Sequence, residues 1–273
     1  MVEVLVHFVA PALVGVLIGI ASGLLGIGGG TVMVPIFRLA FGMSATMSTA
    51  TSLFAIIPTS ISGAISHVKG KTCIPALGIA AGLGGACLSP VGVWLAQLSP
   101  DWLVMLAAAL IIGYSAINMF KKAFKLRPAG QPAAGVDAAA PTADDSSLSR
   151  KQLLQGAAIG LVAGLASGYV GVGGGFIMVP LMLSIIGIPM RKASGTSLIA
   201  VMILAIPGVI EQGIIGNINY LAGIAIVIGT IPGAVIGARL VTKVPERMLR
   251  LLFGCFLIVA AVMLVLNEVG IFG

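Results

Sequence analysis

Long apolar runs alternate with short polar joints along this chain. The runs fall near residues 4–25, 29–42, 49–67, 73–97 and 102–120, and again near 153–170, 174–187, 195–213, 218–238 and 247–267. Most are long enough to cross a hydrocarbon core, which takes about 20 helical residues. The second run of each set is shorter, at 29–42 and 174–187, and directly follows a glycine cluster. It reads as a short crossing helix or a re-entrant hairpin. The N-terminal run has no basic start and is too long for a signal-peptide core, so it predicts a first transmembrane helix. One polar stretch, KKAFKLRPAGQPAAGVDAAAPTADDSSLSRK, separates the two sets. Its composition predicts a flexible linker. The expected organisation is a first repeat over 1–120, a linker over 121–151 and a second repeat over 152–273.

The two sets share a sequence. Residues 19–37 read GIASGLLGIGGGTVMVPIF and residues 164–182 read GLASGYVGVGGGFIMVPLM, with eleven of nineteen positions identical at an offset of 145. A repeat of this kind constrains the whole architecture. Glycine in a helix interior weakens it by about 1 kcal/mol relative to alanine. Three in succession, Gly28, Gly29 and Gly30, matched by Gly173, Gly174 and Gly175, predict that one helix ends and another starts near Thr31 or Phe176. The first N–H groups of the new helix lack intrahelical partners and carry partial positive charge, so they suit an anion. Non-helical backbone at membrane depth is tolerated only inside protein or beside a water-filled cavity. Close helix packing is the alternative, above all for the small residues at 19–23 and 164–168.

Hydroxyls accompany the glycines: Ser22 with Ser167, and Thr51–Ser52 with Thr196–Ser197. They are candidate donors to an oxyanion, or else they bond the carbonyl one turn back on their own helix. Pro35 and Pro180 lie five residues beyond the last glycine, where proline kinks or ends a helix. Arg38 is the one basic residue within a short run, and its counterpart is Leu183. It either snorkels to the outer interface or contacts an anion there.

Composition confirms the medium. Of 273 residues, 59% are hydrophobic and 8% charged, far from the roughly one-quarter charged content of soluble domains. The net charge of +7 therefore reports on topology rather than on nucleic acid. With five crossings per half and a cytoplasmic linker, fourteen of the fifteen Lys and Arg residues fall inside, Arg38 being the exception. Asp101, Glu211, Glu3 and Glu268 then lie outside with both termini. Parallel halves would put six basic residues of the second repeat outside. The positive-inside rule thus predicts an all-α integral membrane protein of two five-segment inverted repeats, with helices broken at the glycine motifs.

Several classes are disfavoured. No Lys-Ser/Thr follows the glycines, so the cluster is not a Walker A loop, and a membrane helix precedes it, so it is not a Rossmann turn. Cys73, Cys87 and Cys255 match no zinc spacing. No metal, cofactor or catalytic residue is expected. With His7 and His67 the sole histidines and no acid mid-membrane, an intramembrane enzyme is a weak reading. Coupled carriers usually place a carboxylate within the membrane, and none is placed here.

The paired GxxSGxxGxGGGxxxVP motifs, each followed by Thr-Ser-Leu (51–53 and 196–198), and the central polar linker resemble the TauE/SafE sulfite-exporter family. The resemblance spans essentially the whole chain. It implies a transporter in the bacterial cytoplasmic membrane, carrying small sulfur-containing anions such as sulfite, thiosulfate or sulfoacetate. It also implies that Gly28, Gly29, Gly30, Gly173, Gly174 and Gly175 form substrate-binding breaks. The candidate substrate contacts are these glycines with Ser22, Thr31, Arg38, Thr51, Ser52, Ser167, Thr196 and Ser197. Export by alternating access is expected, with a passive anion channel as the alternative. The expected partners are the anion and the lipid bilayer, with no nucleic acid; which anion is carried and whether the chain forms a homo-oligomer stay open.

Overall fold

The computed structural model describes residues 10–125 and 149–268. The start of the first apolar run, the interior of the linker and both chain termini lie outside the described residues. Those residues form ten α-helices and no strands: α1 Ala10–Leu25, α2 Gly30–Phe41, α3 Ala45–Lys69, α4 Pro75–Leu98, α5 Asp101–Lys125, α6 Arg150–Val170, α7 Gly175–Leu181, α8 Met190–Ile215, α9 Tyr220–Leu240 and α10 Glu246–Glu268. A π-helical turn, Met182–Ile186, continues α7. Helices 2 to 5 start at Gly30, Ala45, Pro75 and Asp101, and helices 7 to 10 at Gly175, Met190, Tyr220 and Glu246. The offset of 145 in the glycine motif therefore holds through the fold.

Seven helices are long and apolar enough to cross a membrane: α3, α4, α5, α6, α8, α9 and α10. The described part of α1, together with α2 and the α7–π segment, forms shorter apolar helices. Twelve residues, the length of α2, rise only about 18 Å, well short of a hydrocarbon core about 30 Å thick. The third segment of each set is longer than its apolar run, because Ser44 and Pro189 start α3 and α8 several residues ahead of it. The Ser44 side chain accepts from the Met47 N–H, and polar residues are admitted once a cap satisfies the first turn. Pro35 does not end α2, which continues to Phe41. After Pro180 the helix shifts instead to the π-helical turn, where Ser184 Oγ donates to Pro180 O at 2.6 Å.

The two sets interlock. The first helix of each packs along the fourth helix of the other, α1 on α9 and α6 on α4, while α3 lies against α8 and α5 against α10. Small residues make this approach possible. Gly15, Gly19 and Gly23 face the backbone of α9, and Gly160, Gly164 and Gly168 face that of α4. The backbones meet across these stripes, as in other membrane helix pairs. Close packing is therefore what the 19–23 and 164–168 stretches do. Large apolar side chains such as Leu13, Leu17, Leu83, Leu110 and Ile214 point outward, as a lipid-facing surface requires. Trp94 and Trp102 flank the α4–α5 turn and are more than half exposed, in the manner of interfacial aromatics.

A methyl carbon on Gly164 would lie 2.5 Å from Gly85 Cα, whereas one on Gly113 would meet nothing within 4 Å. Gly164→Ala is expected to lower stability by about 1–3 kcal/mol through overpacking. Gly113→Ala should leave it unchanged or slightly raise it. Thermal unfolding in detergent measures both.

Candidate functional site

The glycine clusters are sharp breaks in left-handed backbone. Gly26, Gly28 and Gly29 have φ of 76°, 81° and 87°, and Gly171, Gly173 and Gly174 have 72°, 86° and 66°. L-residues with side chains rarely adopt such angles. Gly26 N–H closes α1 on Ser22 O, and Gly171 N–H closes α6 on Ser167 O, each at 2.7 Å. The chain then doubles back. Gly29 comes beside Ile18 and Ser22, and Gly174 beside Ala163 and Ser167. α2 and α7 start at Gly30 and Gly175, one residue before the expected positions, and no side chain caps either.

The breaks meet each other. A methyl carbon on Gly30 would lie 2.6 Å from Val172 O, and one on Gly175 would lie 2.5 Å from Gly26 O and 2.9 Å from Ile27 Cα. The contact is approximately two-fold: Ile27 and Val172 are counterparts, although Gly30 meets the Val172 carbonyl and Gly175 the carbonyl of Gly26, one residue earlier. Ile27 and Val172 are fully buried. The packing alternative for the triple glycines and their role as a break are thus joined: Gly30 and Gly175 must be small so that the breaks can touch.

The candidate hydroxyls separate into two groups. Thr51 Oγ1 accepts from the Asn219 N–H at 3.0 Å, and Thr196 Oγ1 accepts from the Ile74 N–H at 2.9 Å. Each threonine thereby satisfies the backbone where the fourth helix of the opposite set begins. Ser197 Oγ lies 2.7 Å from Gly26 O and 2.9 Å from Ser194 O, and holds the first break to α8. By contrast Ser22, Thr31, Ser52 and Ser167 are fully buried, and their hydroxyls have no partner. The helix-carbonyl alternative does not apply to these four, although Thr59, Ser184 and Ser194 do bond back to a carbonyl four residues earlier. Ser22 and Ser167 are counterparts, one at each break.

Arg38 is not brought to the breaks. It sits in the last turn of α2, about 12 Å along the axis from Gly30, where a cation suits the helix C-terminus. Glu211, placed outside by the charge pattern, lies within the last turns of α8, which runs on to Ile215.

Three further features escaped the sequence reading. Ser48, Ser60 and Ser89 are also buried hydroxyls without partners, and no motif marks them. Asp101 accepts from the Ala45 N–H at 3.3 Å, and its counterpart Glu246 accepts from the Met190 N–H at 2.7 Å. The acids thus secure the starts of α3 and α8; the shared offset of 145 is the signal that could have paired them. His67 is fully buried, with Nε2 2.8 Å from Gly23 O and Nδ1 2.7 Å from Thr72 Oγ1. A carbonyl only accepts, so Nε2 carries the proton. Its counterpart Gln212 meets Asn217, the counterpart of Thr72, at 2.8 Å. Both pairs fasten the end of the third helix to the following turn. Among the described residues no group of His, Cys, Asp and Glu could hold a metal ion.

Comparison with known proteins places this arrangement. The family profile described as "Sulfite exporter TauE/SafE" matches residues 11–264. The probable membrane transporter protein YunE of Bacillus subtilis is 28% identical over 273 residues, covering 92% of this chain and 97% of the relative. The probable membrane transporter protein YdhB of the same organism is 28% identical over 239 residues, covering 87% and 92%. A probable membrane transporter protein of Xylella fastidiosa is 25% identical over 252 residues, covering 91% of each. No solved structure matches the chain.

The two hydroxyl groups should respond differently to deletion. Thr196→Val leaves the buried Ile74 N–H without an acceptor and is expected to destabilise by about 1–3 kcal/mol. Ser52→Ala removes a hydroxyl that already lacks a partner, so the unfolding midpoint of ligand-free protein should hold or rise. Equal losses for both would mean that Ser52 is engaged.

Proposed function

The chain belongs to the sulfite exporter TauE/SafE family, and we propose that it exports a small sulfur-containing anion such as sulfite, thiosulfate or sulfoacetate by alternating access. As a family member it is a multi-pass membrane transporter rather than an enzyme. The observation that carries the proposal is the meeting of two glycine breaks beside Ser22 and Ser167, with Thr31 in the first turn of α2, whose buried hydroxyls lack partners; Ser52, on α3, is a further buried hydroxyl without one. Each such hydroxyl costs roughly 1–3 kcal/mol while unpaired. An oxyanion, rich in acceptor oxygens, would satisfy several together, and the start of α2 adds partial positive charge. Binding then needs no charged side chain at the centre.

The proposed architecture is an inverted pair of five-segment repeats, 1–120 and 152–273, in the bacterial cytoplasmic membrane. The linker 121–151 would be cytoplasmic and both termini outside. Two contacts support inversion. Thr51, near the start of α3, reaches the start of α9, and Ile74, at the start of α4, reaches Thr196 near the start of α8. Parallel halves would separate these partners by the membrane thickness. Lys71 and Thr72, after α3, also line one cavity of about 480 Å³ with Arg191 and Lys192, at the start of α8, so that three cations face one acid, Glu246. Inversion puts that basic cavity inside. The counterparts of Lys71, Arg191 and Lys192 are Gly216, Thr46 and Met47, so the opposite face gains no cation there. This asymmetry would gather anions inside and not retain them outside. Membrane potential favours the same direction, by about 2.3 kcal/mol per charge per 100 mV.

Proteoliposomes loaded with labelled sulfite or thiosulfate test the proposal. Saturable, trans-stimulated flux is expected; ohmic current would make the protein a passive channel instead. Gly29→Val and Gly174→Val force side chains into left-handed backbone, with Ile18 Cγ2 and Ala163 O each 3.0 Å from the new Cβ positions. Both variants should insert in the membrane yet lose transport. Normal transport by both would end the case for the glycine site. For topology, an impermeant thiol reagent should label Thr242→Cys only from the cytoplasm and Ile215→Cys only from outside. The reverse pattern would exclude an inverted arrangement with a cytoplasmic linker.

A further inference from the structure

Three of the serines that lack partners share one helix face, whereas Ser22, Ser89 and Ser167 lie on α1, α4 and α6. Ser48, Ser52 and Ser60 lie on one ridge of α3, at steps of four and eight residues, and the member missing from the series is Ile56. All four are fully buried. Steps of four residues are about 6 Å apart along the axis, so the ridge runs for about 18 Å with one apolar interruption. That interruption stands against the meeting glycine breaks. A methyl carbon on Gly28 would lie 3.3 Å from Ile56 Cγ2, 3.0 Å from Val201 Cγ1 and 3.5 Å from Ser60 Oγ. One on Gly173 would lie 2.8 Å from Ile56 Cδ1 and 3.5 Å from Val201 Cγ1. Ile56 and Val201 are counterparts at the 145 offset, on the paired helices α3 and α8, and each touches both breaks.

We propose that Ile56 and Val201 form the central gate of the anion path, and that the serine ridge of α3 lines that path on either side of it. The chemistry matches this division. Hydroxyls can replace water around an oxyanion, whereas two branched alkyl groups at the narrowest point exclude both water and ion while they stay together. Hydroxyls that could back-bond to their own helix, as Thr59 does to Ala55 O, remain unpaired on the ridge, as expected of donors kept for a passing ligand. Pro58, two residues beyond Ile56, cannot donate to the carbonyl of Phe54. α3 is therefore weakest in hydrogen bonding where the gate would have to move. The gate rests on the transport reading for its cargo but not for its geometry.

The test uses Ser60→Cys in full-length protein, treated with a charged, membrane-impermeant methanethiosulfonate reagent. Modification at residue 60 is read by peptide mass, so Cys73, Cys87 and Cys255 can stay. Adding Ile56→Ala and Val201→Ala withdraws packing from the closed centre, and the labelling rate should rise at least roughly tenfold. The same alanine pair with Ser60 intact should let thiosulfate leak from proteoliposomes without trans substrate. Unchanged labelling and no leak in folded protein would overturn the gate. Increased labelling with no sulfite or thiosulfate flux in the parent protein would uphold the gate and reject the sulfur-anion cargo. If the alanine pair does not fold, Val201→Ala alone carries the same test, with a smaller rise supporting the gate and no rise overturning it.

Discussion

The structure depends on two stretches of irregular backbone lying against each other inside an apolar bundle. Each glycine break leaves amide groups outside regular helix, and lipid offers them no partner. Each is therefore enclosed by the other half of the molecule. Gly30 approaches the carbonyl of Val172, Gly175 approaches that of Gly26, and the Ser197 hydroxyl donates to Gly26 O. These approaches leave no room for a Cβ. The same glycines thus supply both the backbone angles that break the helices and the space that lets the breaks meet.

Interlocking of the two sets follows from this constraint. Breaks that shield each other must be held in register, and the fold does so by exchanging partners. The first helix of each set is committed to the fourth helix of the other, and Thr51 and Thr196 tie each third helix to the start of the opposite fourth helix. Any movement of one set against the other must therefore carry elements of both. Under the alternating access proposed above, the moving bodies would follow the packed pairs α1–α9 and α4–α6 rather than the boundary at the linker.

Polar groups within the bundle divide by the same logic. Those that hold the architecture are bonded: Thr51, Thr196, Ser197, His67 and Gln212. Those facing the breaks or following the α3 ridge are not: Ser22, Thr31, Ser48, Ser52, Ser60 and Ser167. Unpaired donors in a dry interior are normally avoided because each forfeits its hydration. In the proposed reading, the unpaired hydroxyls beside the breaks and along the α3 ridge are donors kept for an acceptor-rich ligand.

Much of this was legible in the chain alone. The apolar runs locate the helices, the repeated GxGGG locates the breaks within a residue, and the small residues at 19–23 and 164–168 allow close packing. Such features are local: helix length, glycine conformation and side-chain size act within a few residues of sequence. Tertiary structure decided what depends on contacts across the 145-residue offset. It moved Arg38 away from the breaks, made Thr51, Thr196 and Ser197 fastenings, and left Ser22, Thr31, Ser52 and Ser167 unpaired. It also brought Ile56 and Val201, unremarkable apolar residues in sequence, to the one place where both breaks converge. A hydroxyl has the same identity bonded or free, and an isoleucine the same identity in core or gate. Only the position of the opposite half distinguishes them.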